Sequence, residues 1–181
     1  MPRYRLRAAT LADIPLLVRH RRGMWKEIGH GTPRELDEAD PVYARWARAR
    51  LRDRTLVGWI AQAPDGTPAA SGCLWVQQIQ PYPGGPSGKR PYLLSMFTEP
   101  AHRGNGLAAR IVREAVRWTR RHGHPAIALH AAPMGKRIYE RLGFERTWEM
   151  RLRLDKPAAG ARKRRPSSRR VHAPARARSR R

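Results

Sequence analysis

Apolar positions recur along the chain with two periods, and each period predicts a type of element. Apolar residues three or four positions apart predict amphipathic helices, whereas short apolar runs bounded by glycine and proline predict strands. Strands are predicted over residues 4–7, 56–62, 69–80, 92–98, 125–131 and 147–154. Four helices are predicted: one that starts at Thr10, one over 42–51, one that follows Gly106, and one over 135–142. The resulting order, β-α-α-β-β-β-α-β-α-β without an internal repeat, predicts one mixed α/β fold.

One junction, residues 95–108, joins an apolar strand to a helix through a turn that contains two glycines. The first turn of a helix has unpaired amides and the positive end of the helix dipole, so a phosphate group is a natural ligand there. Gly104 and Gly106 allow a positive φ and a close approach of the main chain, and Arg103 adds a permanent positive charge. The junction therefore predicts a pyrophosphate site, and an ordinary strand-to-helix turn is the open alternative.

The residues after this junction exclude two other phosphate-binding loops. A Walker A loop needs Gly-Lys-Ser/Thr, and a dinucleotide-binding loop needs a third glycine and an acid after the next strand. Ala108 and Ala109 follow Gly106, and no acid occurs between Arg117 and His130. The helix itself is amphipathic, since Leu107, Ile111, Ala115 and Trp118 share one face and Arg110, Arg113, Arg117 and Arg120 share the other.

A second motif lies in residues 138–144, between the last two predicted strands. Together the two motifs resemble the GNAT superfamily of acetyl-CoA-dependent N-acetyltransferases. The Arg/Gln-x-x-Gly-x-Gly/Ala signature of that family is matched by Arg103, Gly106 and Ala108, and its later Tyr-x-x-x-Gly-Phe signature is matched by Tyr139, Gly143 and Phe144. The resemblance covers residues 3–154 and is strongest from 92 to 152.

The resemblance implies a mostly antiparallel sheet flanked by helices, acetyl-CoA as the acyl donor, an amine as the acceptor, and no metal. It implies that the main chain of Met96, Phe97 and Thr98 binds the pantetheine arm and that one of these amides polarises the thioester carbonyl. The pyrophosphate is expected on the amides of Arg103, Gly104, Asn105, Gly106, Leu107, Ala108 and Ala109. Dimers are common in the family, which makes a homodimer a further expectation, although the sequence shows no interface signature.

The catalytic residues are predicted less directly. Tyr139 is the candidate general acid, because a phenol beside a developing thiolate can supply a proton; packing against Ile138 and Phe144 is the alternative. The glutamate that some members carry on the preceding strand is missing, and Ala132 replaces an asparagine often found seven residues before the tyrosine. His130 is the titratable residue on that strand and a candidate base. A packing or surface role for His130 stays open, as do a base that acts through water and attack by the small neutral fraction of the amine.

Five of the fourteen acids fall between residues 27 and 40: Glu27, Glu35, Asp37, Glu38 and Asp40. In so basic a chain such a cluster could attract a cationic amine, whereas helix capping and local ion pairs are the alternative. We single out Glu27 as a residue that binds or deprotonates the amine, because the surrounding segment, residues 24–29, resembles one branch of GNAT proteins.

The net charge of +24 is unevenly spread, and the last 26 residues supply almost half of it. Residues 156–181 hold eleven Lys and Arg residues, no acid and no aromatic residue, which predicts a disordered tail after a folded domain of residues 1–155. Such a tail could bind nucleic acid or another polyanion without sequence selectivity, or simply be solvated. The alternative function is accordingly a catalytically degenerate CoA-binding module that associates with a polyanion through its tail.

The single cysteine, Cys73, fits a reducing compartment and predicts a cytoplasmic protein. Cys73 lies in an apolar strand-like run, so we expect a buried structural thiol rather than a nucleophile. No stretch approaches the roughly 18 apolar residues of a membrane span, and no membrane partner is expected.

Overall fold

The structure, a computed structural model, describes residues 3–152 of the 181-residue chain. Five strands form one sheet: β1 (Arg5–Ala8), β2 (Leu56–Gln62), β3 (Pro68–Gln78), β4 (Lys89–Thr98) and β5 (Ala128–Leu129). The helices are α1 (Ile14–Glu27), α2 (Pro33–Arg52), α3 (Leu107–Arg121) and α4 (Lys136–Arg141), and short 3-10 turns cover Leu11–Asp13 and Pro100–His102.

The strands lie in the order β1-β2-β3-β4-β5, and each neighbouring pair is antiparallel except β4 and β5, which are parallel. This arrangement confirms the predicted mixed, mostly antiparallel fold. Two apolar clusters flank the sheet, because successive residues of a strand point to opposite faces. Leu74 of β3 packs in the cluster that contains Ile111 of α3, whereas its neighbour Cys73 packs in the cluster that contains Leu17 of α1 and Ala47 of α2.

Helix α2 begins nine residues earlier than predicted. Its start is set by Thr32, whose side chain accepts a hydrogen bond from the Glu35 amide at 3.3 Å while the Glu35 carboxylate accepts one from the Thr32 amide at 2.7 Å. Pro33 takes the first helical position, where a missing amide hydrogen costs nothing. The predicted helix over 42–51 is confirmed, but its start was placed too late, because Pro41, which normally interrupts a helix, is accommodated inside this one.

Strand β4 is irregular near its end. Ser71 of β3 lies opposite Phe97, but Cys73 lies opposite Leu94, so β4 carries one extra residue between these pairs. Ser95 has a φ of +53° in this bulge. Strand β5 pairs only with Tyr92 and Leu93, near the beginning of β4. The outer edge of residues 94–98 is therefore left without a partner strand among the described residues.

The end of the predicted pattern is not reproduced. Strand β5 is two residues long instead of the predicted 125–131, and residues 147–152 form no strand, although one was expected over 147–154. Alternating apolar residues specify a strand only where a neighbour completes its hydrogen bonds, and the sequence pattern does not supply that neighbour. Residues 153–154 and the predicted tail lie outside the described residues. No helix within residues 3–152 is both long and apolar enough to cross a membrane.

Candidate active site

A cavity of about 550 Å³ opens between α1, the bulged end of β4, the start of α3 and α4. It collects residues that are far apart in the sequence and that were predicted separately. Its lining includes nearly all of the predicted site residues: Glu27, Met96, Phe97, Thr98, Arg103, Gly104, Gly106, Leu107, Ala108, Ala109, His130 and Tyr139.

The loop before α3 leaves room for an anion. Gly104 and Gly106 have φ values of +79° and +69°, and a Cβ built on either residue would meet nothing within 4 Å. Glycine is thus required by the backbone conformation, and the space beside it is open. The Arg110 amide donates to the Gly106 carbonyl at 3.0 Å and closes the first helical turn. The amides of Leu107, Ala108 and Ala109 precede this bond and lie at the positive end of α3.

Asn105 differs from the other predicted loop residues because it does not line the cavity. Its side-chain amide donates to the carbonyls of His102 and Arg103 at 3.1 and 3.2 Å. Those bonds brace the loop in the shape that exposes the glycines. The Arg103 guanidinium donates from Nε to the Thr98 carbonyl at 3.1 Å and forms an ion pair with Glu27.

The bulged end of β4 contributes main-chain groups to the cavity. The predicted donor-binding residues Met96, Phe97 and Thr98 line it together with Ser95. Because β5 pairs only with Tyr92 and Leu93, backbone groups of residues 94–97 on that edge are available to a ligand that extends the sheet, whereas the Thr98 carbonyl accepts the hydrogen bond from Arg103.

Tyr139 on α4 faces this same space. Its ring packs edge-on against Phe144 with 5.7 Å between centroids, which fixes the direction of the side chain. Burial raises the pKa of the Tyr139 phenol above its ordinary value, so the hydroxyl keeps its proton at neutral pH. Tyr139 therefore packs against Phe144 and also lines the cavity, so its packing leaves the predicted role as general acid open.

His130 lines the cavity beyond β5 and is hydrogen-bonded to the Tyr92 hydroxyl through Nδ1. Ala132, which stands where the family often has an asparagine, also lines the cavity. The cavity wall is apolar at that position.

The acidic cluster of residues 27–40 separates into structural and site residues. Glu35 caps α2, Glu38 pairs with Arg34, and Arg22 pairs with both Asp37 and Asp40 at 2.7 Å. These four acids have the local roles that the alternative predicted. Glu27, at the end of α1, differs from them because it lines the cavity. Its ion-pair partner, Arg103, lies across the cavity in the loop before α3.

The sequence analysis missed a buried network that connects α1 to the sheet. His20 is fully buried, with Nδ1 2.8 Å from Ser71 Oγ and Nε2 3.1 Å from Glu99 Oε1. Burial lowers the pKa of His20, so the neutral imidazole donates from Nε2 to the carboxylate and accepts the Ser71 hydroxyl at Nδ1. The ring centroid lies 5.1 Å from that of Phe97. The network therefore holds α1 against the part of β4 that lines the cavity.

Cys73 has no role in this cavity. The thiol is buried in the sheet, and burial raises its pKa to about 12. A buried, protonated thiol is a poor nucleophile, which agrees with the prediction of a structural residue.

Comparisons with known proteins agree with this geometry. Residues 20–144 match the family described as "Acetyltransferase (GNAT) family". A GCN5-related N-acetyltransferase from Ralstonia eutropha is 30% identical, with a TM-score of 0.77 over 85% of this chain and 100% of that chain. A predicted acetyltransferase from Clostridium acetobutylicum, solved with acetyl-CoA, is 27% identical, with a TM-score of 0.76 over 84% of this chain and 97% of that one.

An aminoglycoside N-acetyltransferase in complex with CoA shares the fold at 21% identity, with a TM-score of 0.62 over 84% of this chain and 95% of that one. A search of curated proteins finds no sequence match. The fold and the cavity are thus those of an acyltransferase. The chain belongs to the GNAT acetyltransferase family and is an N-acetyltransferase.

Proposed function

We propose that the protein transfers an acetyl group from acetyl-CoA to a primary amine by direct attack in a ternary complex. The observation that carries the proposal is the shared cavity, in which the glycine loop, the free edge of β4, Tyr139 and Glu27 line one space. Related structures solved with acetyl-CoA or CoA support the choice of donor.

The residues present fit a CoA thioester. The amides at the start of α3, with open space beside Gly104 and Gly106, suit a pyrophosphate. The free edge of β4 can pair with the amides of a pantetheine arm, and an amide of residues 96–98 would stabilise the oxyanion that forms at the thioester carbonyl.

The chemistry requires two proton movements. The amine nitrogen attacks the carbonyl carbon, the carbon–sulfur bond breaks, and the departing thiolate takes a proton from the Tyr139 hydroxyl. The amine must lose a proton, and His130 and a water molecule are the candidate acceptors. No covalent enzyme intermediate is needed, in keeping with the burial of Cys73.

Glu27 is proposed to bind the ammonium form of the acceptor. The support is its position on the cavity wall, with a side chain that is 28% exposed. A carboxylate at this depth attracts a cation more strongly than a fully solvated one does. Replacement by Gln should raise the KM for the acceptor and change the pH profile; a rate unchanged across pH would exclude this role.

The first experiment is calorimetry of acetyl-CoA binding to the full chain at about 0.15 M salt, where exposed charges more than a Debye length apart are screened. Gly106→Val should abolish tight binding, because valine cannot easily adopt a positive φ, and Arg103→Ala should weaken binding to a lower but measurable affinity, because alanine removes the guanidinium. Arg113→Ala is the matched control, since Arg113 lies exposed on α3 and does not line the cavity.

The outcomes separate the two functions considered. Tight binding that is lost in the two loop variants and retained in the control supports the acetyltransferase and justifies a screen of amines for the acceptor. Binding that survives both loop substitutions would place the ligand elsewhere on this basic chain. Acetyl-CoA binding that depends on the glycine loop, without transfer to any amine, would favour the catalytically degenerate CoA-binding module.

A further inference from the structure

Two residues that were assigned to different substrates contact each other across the cavity. Glu27 ends α1, and Arg103 precedes the glycine loop; their side chains form an ion pair. The same guanidinium donates from Nε to the Thr98 carbonyl at 3.1 Å. Two of the five guanidinium donors of Arg103 are therefore bound to protein acceptors, one at the end of β4 and one at the end of α1.

The position of Glu27 in its helix makes this pairing informative. The carboxyl end of a helix carries partial negative charge, so a carboxylate at the last residue of α1 is disfavoured there. Within residues 3–152, Arg103 is the ion-pair partner that offsets this charge. The negative charge of Glu27 is thus stabilised by a side chain from the loop before α3, across the cavity.

The Glu27 carboxylate and a pyrophosphate at the start of α3 are two anions that attract the same guanidinium. A guanidinium binds a phosphate best through two parallel hydrogen bonds, and the Nε and Nη2 donors that form one such pair in Arg103 are engaged by Thr98 and Glu27. The Arg103 side chain is 45% exposed, so it can rearrange without unfolding its surroundings. A pyrophosphate seated on the amides at the start of α3 would draw Arg103 away from Glu27.

We propose that Glu27 and the donor's pyrophosphate compete for Arg103, so that donor binding frees the Glu27 carboxylate to receive the cationic acceptor. The inference rests on the proposed function and adds a coupling between the two substrates, in which the bound donor raises the affinity for the amine. It also gives a route for release. The N-acetylated product has no charge at its amide and loses its attraction to Glu27, and departure of CoA restores the ion pair.

The test is a double-mutant cycle on the affinity for CoA, measured by calorimetry with the full chain. Glu27→Gln removes the competitor and should tighten the Kd about two- to fivefold, the range expected for a partly exposed ion pair. Arg103→Met should weaken binding. In the Arg103→Met background, Glu27→Gln should have no effect, because the pair no longer exists.

Glu38→Gln is the control for net charge. It removes one negative charge from an ion pair with Arg34 on α2, outside the cavity, and should leave the Kd unchanged. Equal melting temperatures for all variants would show that folding is intact.

Two results would overturn the inference. An affinity that does not tighten in Glu27→Gln means that no competition exists. The same tightening in both backgrounds means that Glu27 merely repels the phosphates. Failure of the wild-type protein to bind CoA would instead refute the proposed function, and this inference with it.

Discussion

The two walls of the cavity present different kinds of chemical groups. On the wall formed by β4 and α3, main-chain groups face the cavity: the free edge of residues 94–98 and the amides at the start of α3. On the wall formed by α1, side chains do so, namely Met24, Glu27 and Ile28. The groups on the first wall depend on the conformation of the backbone, whereas those on the second depend on which residues are present.

This difference predicts how substitutions on each wall should act. Main-chain groups survive substitution as long as the bulge and the glycine turn form. A side-chain wall changes with each substitution. We therefore expect variants of the two walls to separate donor affinity from acceptor preference.

The largest effect is expected at Tyr139, which stands beside both walls. Tyr139→Phe keeps the ring that packs on Phe144 but removes the proton that the leaving thiolate needs. We expect kcat to fall by about 100-fold or more, the usual contribution of a general acid. Steady-state kinetics with an identified amine would measure this.

The donor Kd and melting temperature of Tyr139→Phe should stay close to those of the wild type. A kcat within about threefold of the wild-type value, a factor worth well under 1 kcal/mol, would make Tyr139 a packing residue.

Substitutions at Ser95 test whether the bulge in β4 is needed for stability and donor binding. Ser95→Val places a β-branched residue at a φ of +53° and should lower the free energy of unfolding by about 1–3 kcal/mol while weakening donor binding. Ser95→Gly tolerates the same φ and should retain donor binding, with a smaller loss of stability than Ser95→Val. Chemical denaturation and calorimetry measure the two effects, and equal behaviour of both variants would mean that the bulge tolerates any side chain.

Substitutions on the α1 wall should change the kinetics with the acceptor and leave the affinity for the donor unchanged. Met24→Ala and Ile28→Ala remove apolar atoms from the cavity wall and should change kcat/KM for the acceptor by about tenfold, typical of a few methylene groups. The donor Kd should not change. A parallel loss of donor affinity would show that the two walls are not independent.

The smallest effect concerns the network that holds α1 on the sheet. Since burial lowers the pKa of His20, the unfolded chain binds a proton near pH 6.5 that the native protein resists. The contribution of His20 to stability should be level above this pH and fall below it, by at most about 1.4 kcal/mol per pH unit. Denaturation from pH 8 to 5 should show a shallower decline in His20→Gln than in the wild type; identical slopes would refute the assignment.

The parts of the site that the sequence predicted are those coded by neighbouring residues. The glycine turn was predictable because Gly104 and Gly106 supply a positive φ, and α3 because its apolar and arginine positions recur at helical spacing. The early start of α2 is also encoded locally, in Thr32, Pro33 and Glu35. The prediction missed it because a proline such as Pro41 normally interrupts a helix.

Other features depend on contacts between distant segments. Serine gives no sign of a positive φ, so the bulge at Ser95 follows from how β4 pairs with β3 rather than from residue type. The network of His20, Ser71 and Glu99 joins residues 51 and 79 positions apart, which no local pattern can bring together. The pairing of Glu27 with Arg103 spans 76 positions and was missed for the same reason.

The burial of Cys73 has a practical consequence for the assays described above. Each turnover releases the free thiol of CoA, which a chromogenic disulfide reagent detects, while a thiol with a pKa of about 12 reacts slowly in the native protein. The assay would thus report turnover against little background from the enzyme. Because the chain has one cysteine, a cysteine introduced on the surface would also be the selective site for a fluorophore that follows the opening of the Glu27–Arg103 pair.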